Sequence, residues 1–159
     1  MKLEIKEIGV AEAFGGYRGD WDGFEPSAGN PANTVCHAEL YRDYLSAPIF
    51  LEAYADGRKA AQWLWCKRRW PWNCFRLTLE SRCGPQLAAE FAARYDEIFQ
   101  AIVDWLQRRY RPANISVLCY ALARGITQSA LQACAFARME QYYSYVNTLP
   151  EDDEALIAQ

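Results

Sequence analysis

Two β-rich runs, Ile49–Ala55 and Lys59–Arg68, meet at Asp56-Gly57. Asp-Gly suits a two-residue hairpin turn, because both central residues of such a turn take a positive φ. The second run holds Ala60-Ala-Gln-Trp-Leu-Trp-Cys66, apolar at every position but Gln62. A strand with one wet face alternates between apolar and polar residues, and this one does not, so it is expected to be central and covered on both faces. The chain must therefore build layers on both sides of a sheet that contains this hairpin.

The remaining segments supply those layers. Leu3–Ile8 reads as an edge strand, and residues 10–34, rich in Gly, Pro, Asn and Asp, carry Trp21 and Phe24 to pin a short helix or loop onto the core. Apolar and aromatic residues at Leu40, Tyr41, Tyr44 and Leu45 predict a helix over His37–Leu45, ended by Ser46-Ala-Pro48. Arg68–Asn73 is a turn-bearing loop and Cys74–Leu79 a strand. From Ala88 to Arg109, Leu87, Phe91, Tyr95, Ile98, Ile102, Trp105 and Leu106 fall near one face of a long helix, with Arg108, Arg109 and Arg111 at its C-terminal end and Pro112 beyond. Asn114–Cys119 is a strand, Thr127 caps a helix reaching about Ala135, and Met139–Val146 is a last strand. Alternating strands and helices of this kind pack as a mixed α/β (α+β) sheet with helices on both faces. At 159 residues a single domain is expected over 1–150, with an irregular 1–34 segment and an acidic tail over 151–159.

Composition narrows the function classes. The apolar fraction is 52 %, with six Trp and ten Tyr, which argues against disorder. A formal net charge of −3 gives no global basic field for whole-surface nucleic-acid binding. Six widely spaced cysteines (Cys36, Cys66, Cys74, Cys83, Cys119 and Cys134), no C-x-x-C pair and one histidine, His37, make no recognisable zinc set. Free thiols, no signal-like N-terminus and no apolar run near the ~20 residues of a membrane span fit a reducing cytoplasm without membrane association.

The segment Leu77–Leu87 reads as a strand, a short basic turn with a glycine, and the start of a helix. Turns of that build often hold a phosphate on backbone N–H groups. Here the turn is Ser81-Arg-Cys-Gly-Pro-Gln86, and Pro85 has no N–H to donate. One lost donor facing a charged phosphate costs about 1.5–3 kcal/mol. Pro85 instead suits the first helical position, and Arg82 is the residue expected to hold an anionic ligand. Cys83, beside Arg82 at a helix start, is a candidate low-pKa thiol weighed against an ordinary half-buried one. His37, a candidate general base, has no serine- or cysteine-plus-acid constellation near it in the sequence, so a surface or capping role is favoured, with Thr34 or Asn33 available as cap. Lys67-Arg-Arg-Trp-Pro-Trp72 mixes cations and aromatics, a chemistry that pairs phosphates and stacks bases, but the acidic net charge favours a solvated hairpin tip with Trp packed beneath it. Tyr142, Tyr143 and Tyr145 put aromatics on both faces of the last strand, marking it as a candidate interface.

The element order resembles the GNAT acyltransferase fold. Within it, the run Pro48–Gly57 followed by Lys59–Trp65, then Ser81–Pro85 before the long helix, then Tyr142–Glu154, resembles the N-terminal half of FemAB-like proteins, which hold two GNAT-like domains in tandem. The likeness covers roughly residues 35–155. It implies an acyl or aminoacyl transferase lobe that delivers an acyl group to an amine and is completed by a second GNAT-like lobe, through homo- or hetero-dimerisation. It implies an acyl-CoA or aminoacyl-tRNA donor that the chain does not bind alone, and a tRNA contact at Lys67–Trp72. Single-domain GNAT enzymes grip coenzyme A with an R/Q-x-x-G-x-G/A loop, of which only Gly84 is matched here. The lysine and acid common in the family's acceptor pocket have no counterpart in Tyr41–Tyr44 or Cys119–Ala123. Arg82, Gly84, Tyr120 and Arg124 are the expected ligand-binding residues, since they flank strand ends where α/β ligands bind. A non-catalytic GNAT-like binding module is the alternative, and a piece of a longer enzyme is a third reading.

Overall fold

The Asp56-Gly57 hairpin organises the computed structural model, which describes residues 2–24, 31–42, 45–69, 71 and 76–117. Asp56 (φ 49°) and Gly57 (φ 84°) both take the left-handed backbone, joining β2 (Ser46–Ala55) to β3 (Arg58–Arg69). The other elements are β1 (Leu3–Ile8), the one-turn helices α1 (Val10–Phe14), α2 (Arg18–Asp22) and α3 (Val35–Glu39), β4 (Leu77–Ser81), β5 (Gln86–Leu87), α4 (Tyr95–Tyr110) and β6 (Asn114–Val117). A 3₁₀ segment, Ala89–Arg94, leads into α4. The helix expected from Thr127, the Met139–Val146 strand with its three tyrosines, the 151–159 tail, Tyr120 and Arg124 lie outside the described residues.

The strands form one sheet in the order β1-β2-β3-β4-β6, antiparallel except for the parallel pair β4–β6, with β5 added against β3. Ala60 to Cys66 are all buried, as the unbroken apolar run predicts. One face carries Ile49, Leu51, Trp63, Trp65 and Leu79 against Ile98, Phe99, Ile102 and Leu106 of α4. The other carries Phe50, Leu64 and Cys66 against Trp21, Val35, Ala38 and Tyr41 from the α1–α3 region. Gln62 is the polar exception because its amide donates to the Trp21 carbonyl at 2.9 Å, fastening α2 to the sheet.

Three expectations are corrected. The predicted helix over His37–Leu45 is a single turn, Val35–Glu39; Leu40 is 71 % exposed and Ser46-Ala-Pro48 begins β2. Pro48 fits there because β1 pairs with β2 only from Phe50 onward, leaving β2 covered by β3 alone at the proline. The long helix starts at Tyr95 rather than Ala88. β4 pairs with β3 only over Cys66–Arg69, so β3 takes β5 at Ala61 and Gln62, and the Ala88 N–H reaches the Ala60 carbonyl at 2.9 Å. That pairing holds the chain extended where the helix was expected. Pro85 is therefore a buried residue between two strands and not the first residue of a helix.

β3 also carries a bulge. Ala53 pairs with Ala61 but Tyr54 pairs with Lys59, so Ala60 is the extra residue. A one-residue slip turns a strand's side chains to the opposite face. Lys59 thereby joins Glu52 and Tyr54 on the α1–α3 side.

Candidate functional site

Strands β4 and β6 run parallel, with Ser81, the last residue of β4, opposite Val117. In open α/β sheets ligands bind outside such carboxyl ends, and Arg82 is the first residue past β4. Its guanidinium does not hang in solvent. It hydrogen-bonds the Tyr41 hydroxyl and stands close enough to His37 to disfavour a second positive charge there.

Each partner is positioned by its own element. Thr34 caps α3, its Oγ1 accepting from the His37 N–H at 3.1 Å, so the expected capping by Thr34 holds. Asn33 does not cap; its Oδ1 accepts from the Leu64 N–H at 2.7 Å, on the stretch of β3 between its pairings with β5 and β4. Tyr41 follows α3 and is buried, with its carbonyl accepting from Ser46 Oγ at 2.9 Å. His37 Nε2 lies 3.0 Å from Tyr41 Oη, and the two rings meet edge to face. With Arg82 also donating to it, the Tyr41 hydroxyl links the imidazole to the guanidinium.

Burial first, and then the Arg82 charge, lower the His37 pKa from its ordinary value, so the ring is neutral at pH 7. Burial pushes the Tyr41 phenol up to about 12 against the opposing pull of Arg82 and Arg68. Arg68 reaches over the Tyr41 ring, 5.6 Å from its centroid, and bridges Cys66 Sγ (3.3 Å) and Glu80 Oε2 (3.5 Å). Burial raises the Cys66 thiol, which makes it a poor nucleophile. The cluster is a neutral imidazole and a protonated phenol, flanked by two guanidinium groups.

The corner after β4 is packed rather than open. Trp63 Nε1 donates to Ser81 Oγ (2.8 Å) and the Cys83 carbonyl (2.7 Å), and Gln86 Nε2 donates to the Gly84 carbonyl (3.3 Å). Cys83, Gly84 and Pro85 are buried, with Cys83 in the core beneath α4. A diphosphate needs convergent N–H donors; this corner directs two carbonyls into internal hydrogen bonds and has a proline between them and β5. It does not suit the diphosphate of coenzyme A. Of the four residues expected to bind ligand, Arg82 stands in a polar cluster and Gly84 lies in the packed corner. The cluster itself was not legible, because Tyr41 reads in the sequence as an apolar helix residue. Among the described residues, no group of three His, Cys, Asp or Glu side chains could hold a metal ion, and no helix is long and apolar enough to cross a membrane.

This architecture is the GNAT-like fold, a largely antiparallel sheet with helices on both faces. No protein-family model matches the chain, and neither does any curated protein sequence. Solved structures do. The aminoglycoside antibiotic 6'-N-acetyltransferase AAC(6')-Ih from Acinetobacter baumannii matches with a TM-score of 0.56 at 16 % identity, over 94 % of this chain and 100 % of that one. The ribosomal-protein-alanine N-acetyltransferase from Brucella melitensis biovar Abortus 2308 matches with a TM-score of 0.57 at 9 % identity, over 94 % and 100 %. AAC(6')-Iy, in complex with the bisubstrate analogue CoA-S-monomethyl-acetylneamine, matches with a TM-score of 0.57 at 14 % identity, over the same shares. At these identities the likeness establishes the fold.

Proposed function

We propose that the chain is an N-acyltransferase lobe that transfers an acyl group to an amine. The observation that carries this reading is the shared fold with N-acetyltransferases along nearly the whole of both chains. Such a reaction is accelerated chiefly by holding the amine and the acyl carbon together and by placing charge where the carbonyl oxygen becomes negative. Arg82, steadied by Tyr41 at the end of β4, is the cation for that role. His37, its Nε2 3.0 Å from Tyr41 Oη, holds the phenol that steadies this cation, and neither group gives up or takes a proton in that role.

The packed Gly84-Pro85 corner supports a finer version of this reading. The carrier of the acyl group, coenzyme A or a tRNA, is held with the help of a second GNAT-like lobe, from a second copy or another chain, as in the FemAB-like tandem proteins. The thiols of Cys36, Cys66 and Cys83, none of them in a disulfide, suit a reducing cytoplasm as its setting.

The test is acyl transfer from acetyl-CoA and from aminoacyl-tRNA to a panel of polyamines, aminoglycosides and peptides, with products read by mass spectrometry over a wide range of protein concentration. Amine-dependent consumption of one donor, rising more steeply than linearly with protein, is expected. Failure to consume either donor, together with failure to retain either in equilibrium dialysis, overturns the reading.

A further inference from the structure

At the end of the sheet away from Arg82, the fold gathers cations that are scattered in the sequence. Lys67 and Arg69 close β3, Arg76 precedes β4, and Arg108, Arg109 and Arg111 close α4. Arg69 pairs in register with Leu77, and the Leu77 carbonyl accepts from the Ala113 N–H at 2.8 Å, which brings the chain after α4 beside the β3–β4 ends. Lys67 Nζ and Arg109 Cζ lie 5.8 and 5.9 Å from the centroid of one ring, that of Tyr110. All six of these residues except half-buried Lys67 are exposed. Glu7 meets Arg109 at 4.0 Å and accepts from Tyr110 Oη at 2.6 Å.

A chain with a formal charge of −3 thus sets six of its 17 cations on one end. The helix dipole accounts for arginines in the last turn of α4, but not for Lys67 and Arg69 of β3 or for Arg76 just before β4. Five of the six are arginines, whose planar fork matches phosphate oxygens in pairs. A lipid surface would also call for apolar residues to insert. Among the described residues the exposed large hydrophobics are Val10 and Leu40, which belong to α1 and the end of α3 and not to β3, β4 or α4, the elements that carry these cations. The β4 strand separates the patch from Arg82 by roughly 17 Å, at about 3.3 Å per residue.

We infer that this end of the sheet is a docking surface for a nucleic-acid phosphate backbone, formed by Lys67, Arg69, Arg76, Arg108, Arg109 and Arg111. It reads charge and spacing rather than base sequence, and it stands whether or not the chain transfers acyl groups, because binding is measured without turnover.

The experiment is fluorescence anisotropy with a short labelled single-stranded RNA of mixed sequence, titrated at several salt concentrations. Each phosphate contact contributes about −0.7 to the slope of log K against log salt, so engagement of four cations gives about −3. The variant Arg69→Glu/Arg108→Glu/Arg111→Glu is expected to weaken binding at least about tenfold at ~50 mM salt and to flatten the slope. Its neutral counterpart, with Gln at the same positions, should fall between it and the parent. Arg18→Glu/Arg58→Glu/Arg94→Glu, which moves the same charge elsewhere, should keep both affinity and slope. Circular dichroism melts establish that the variants are folded, and the Gln set serves if the Glu set is not. Absence of RNA binding at ~50 mM salt overturns the inference. So does equal loss in the control variant, or binding to phosphatidylserine vesicles without binding to RNA.

Discussion

The Lys59 ammonium pairs with the Glu52 carboxylate, which is wholly shut off from solvent. Tyr17 and Tyr54 hydroxyls donate to the two oxygens of the same carboxylate, at 2.7 and 2.8 Å. The rings of Tyr17, Trp21 and Phe24 surround the ammonium at 5.8, 5.6 and 4.7 Å. The pair thus fastens the α1–α2 region to the sheet, and the bulge at Ala60 is what turns Lys59 to that face.

Breaking this pair on one side should cost far more than replacing it whole. Lys59→Met leaves the Glu52 charge buried with only two hydroxyls, a loss of about 3–5 kcal/mol. Glu52→Gln/Lys59→Met removes both charges and should recover much of that. Urea denaturation of the parent, the two single variants and the double variant measures the coupling. Equal losses in Lys59→Met and the double variant would show that the pair is not a unit.

His37 is the chain's one histidine, so its ring can be followed by NMR without assignment. Its folded-state pKa is expected below 6.5. Between that value and the unfolded pKa the unfolded chain binds more protons, so stability rises with pH through the window. The His37 contribution is present above about pH 6.5 and is lost as pH falls through the folded pKa. Arg82→Ala should raise the folded value without restoring 6.5, since burial is the larger cause. A folded pKa at or above 6.5 in the parent would contradict the buried, neutral ring.

Much of the fold is legible in the residues and less of the site is. The hairpin, the covered central strand and the amphipathic face of α4 follow from short-range patterns: Asp56-Gly57, the run Ala60–Cys66, and the spacing of Ile98, Ile102 and Leu106. The bulge at Ala60 carries no local mark, because two alanines in a row suit either register. β5 was hidden for a different reason: Gln86-Leu87 looks like a helix start, and only the incomplete cover of β3 by β4 draws it into the sheet. The Arg82–Tyr41–His37 cluster joins residues that meet through tertiary packing, so spacing along the chain could not bring them together. Gln62 and Glu52, each a single polar or charged residue inside an apolar run, were the visible signs of the polar layer on the α1–α3 face.

Replacing Tyr41 with Phe removes the hydroxyl that links His37 to Arg82 while keeping the ring. The expected loss is about 1–3 kcal/mol, because His37 Nε2 and one Arg82 N–H lose a partner in a half-buried site. The His37 titration should change with it, whereas a merely space-filling role for the ring would leave that titration in place. Measuring both on the same variant separates the two outcomes.

Gly57 sits at φ 84° in the hairpin turn, with no atom within 4 Å of where a Cβ would stand. Gly57→Ala therefore tests backbone strain free of steric clash, and about 1 kcal/mol of destabilisation is expected. Gly57→Asn should cost less, since asparagine tolerates the left-handed region.

Asn33 fills the stretch of β3 between its pairings with β5 and β4, on the side of Leu64 away from β2, where neither of those strands pairs with it. Its side-chain oxygen takes the Leu64 N–H and its own carbonyl accepts from the Trp21 indole at 2.7 Å, so one buried residue ties α2, the turn before α3 and the sheet together. Asn33→Ala keeps the backbone acceptor for Trp21 but leaves the Leu64 N–H buried without its partner, at an expected cost of about 1–3 kcal/mol. Asn33→Asp keeps the acceptor and buries a charge, so its stability should fall as pH rises through the carboxylate's titration, while that of Asn33→Ala should not change in this range on that account. Thermal melts of both variants between pH 4 and 8, a range chosen to span a carboxylate raised by burial, would show the divergence. Parallel pH profiles for the two would mean that water reaches this part of the strand, and that the Asn33 bond is dispensable.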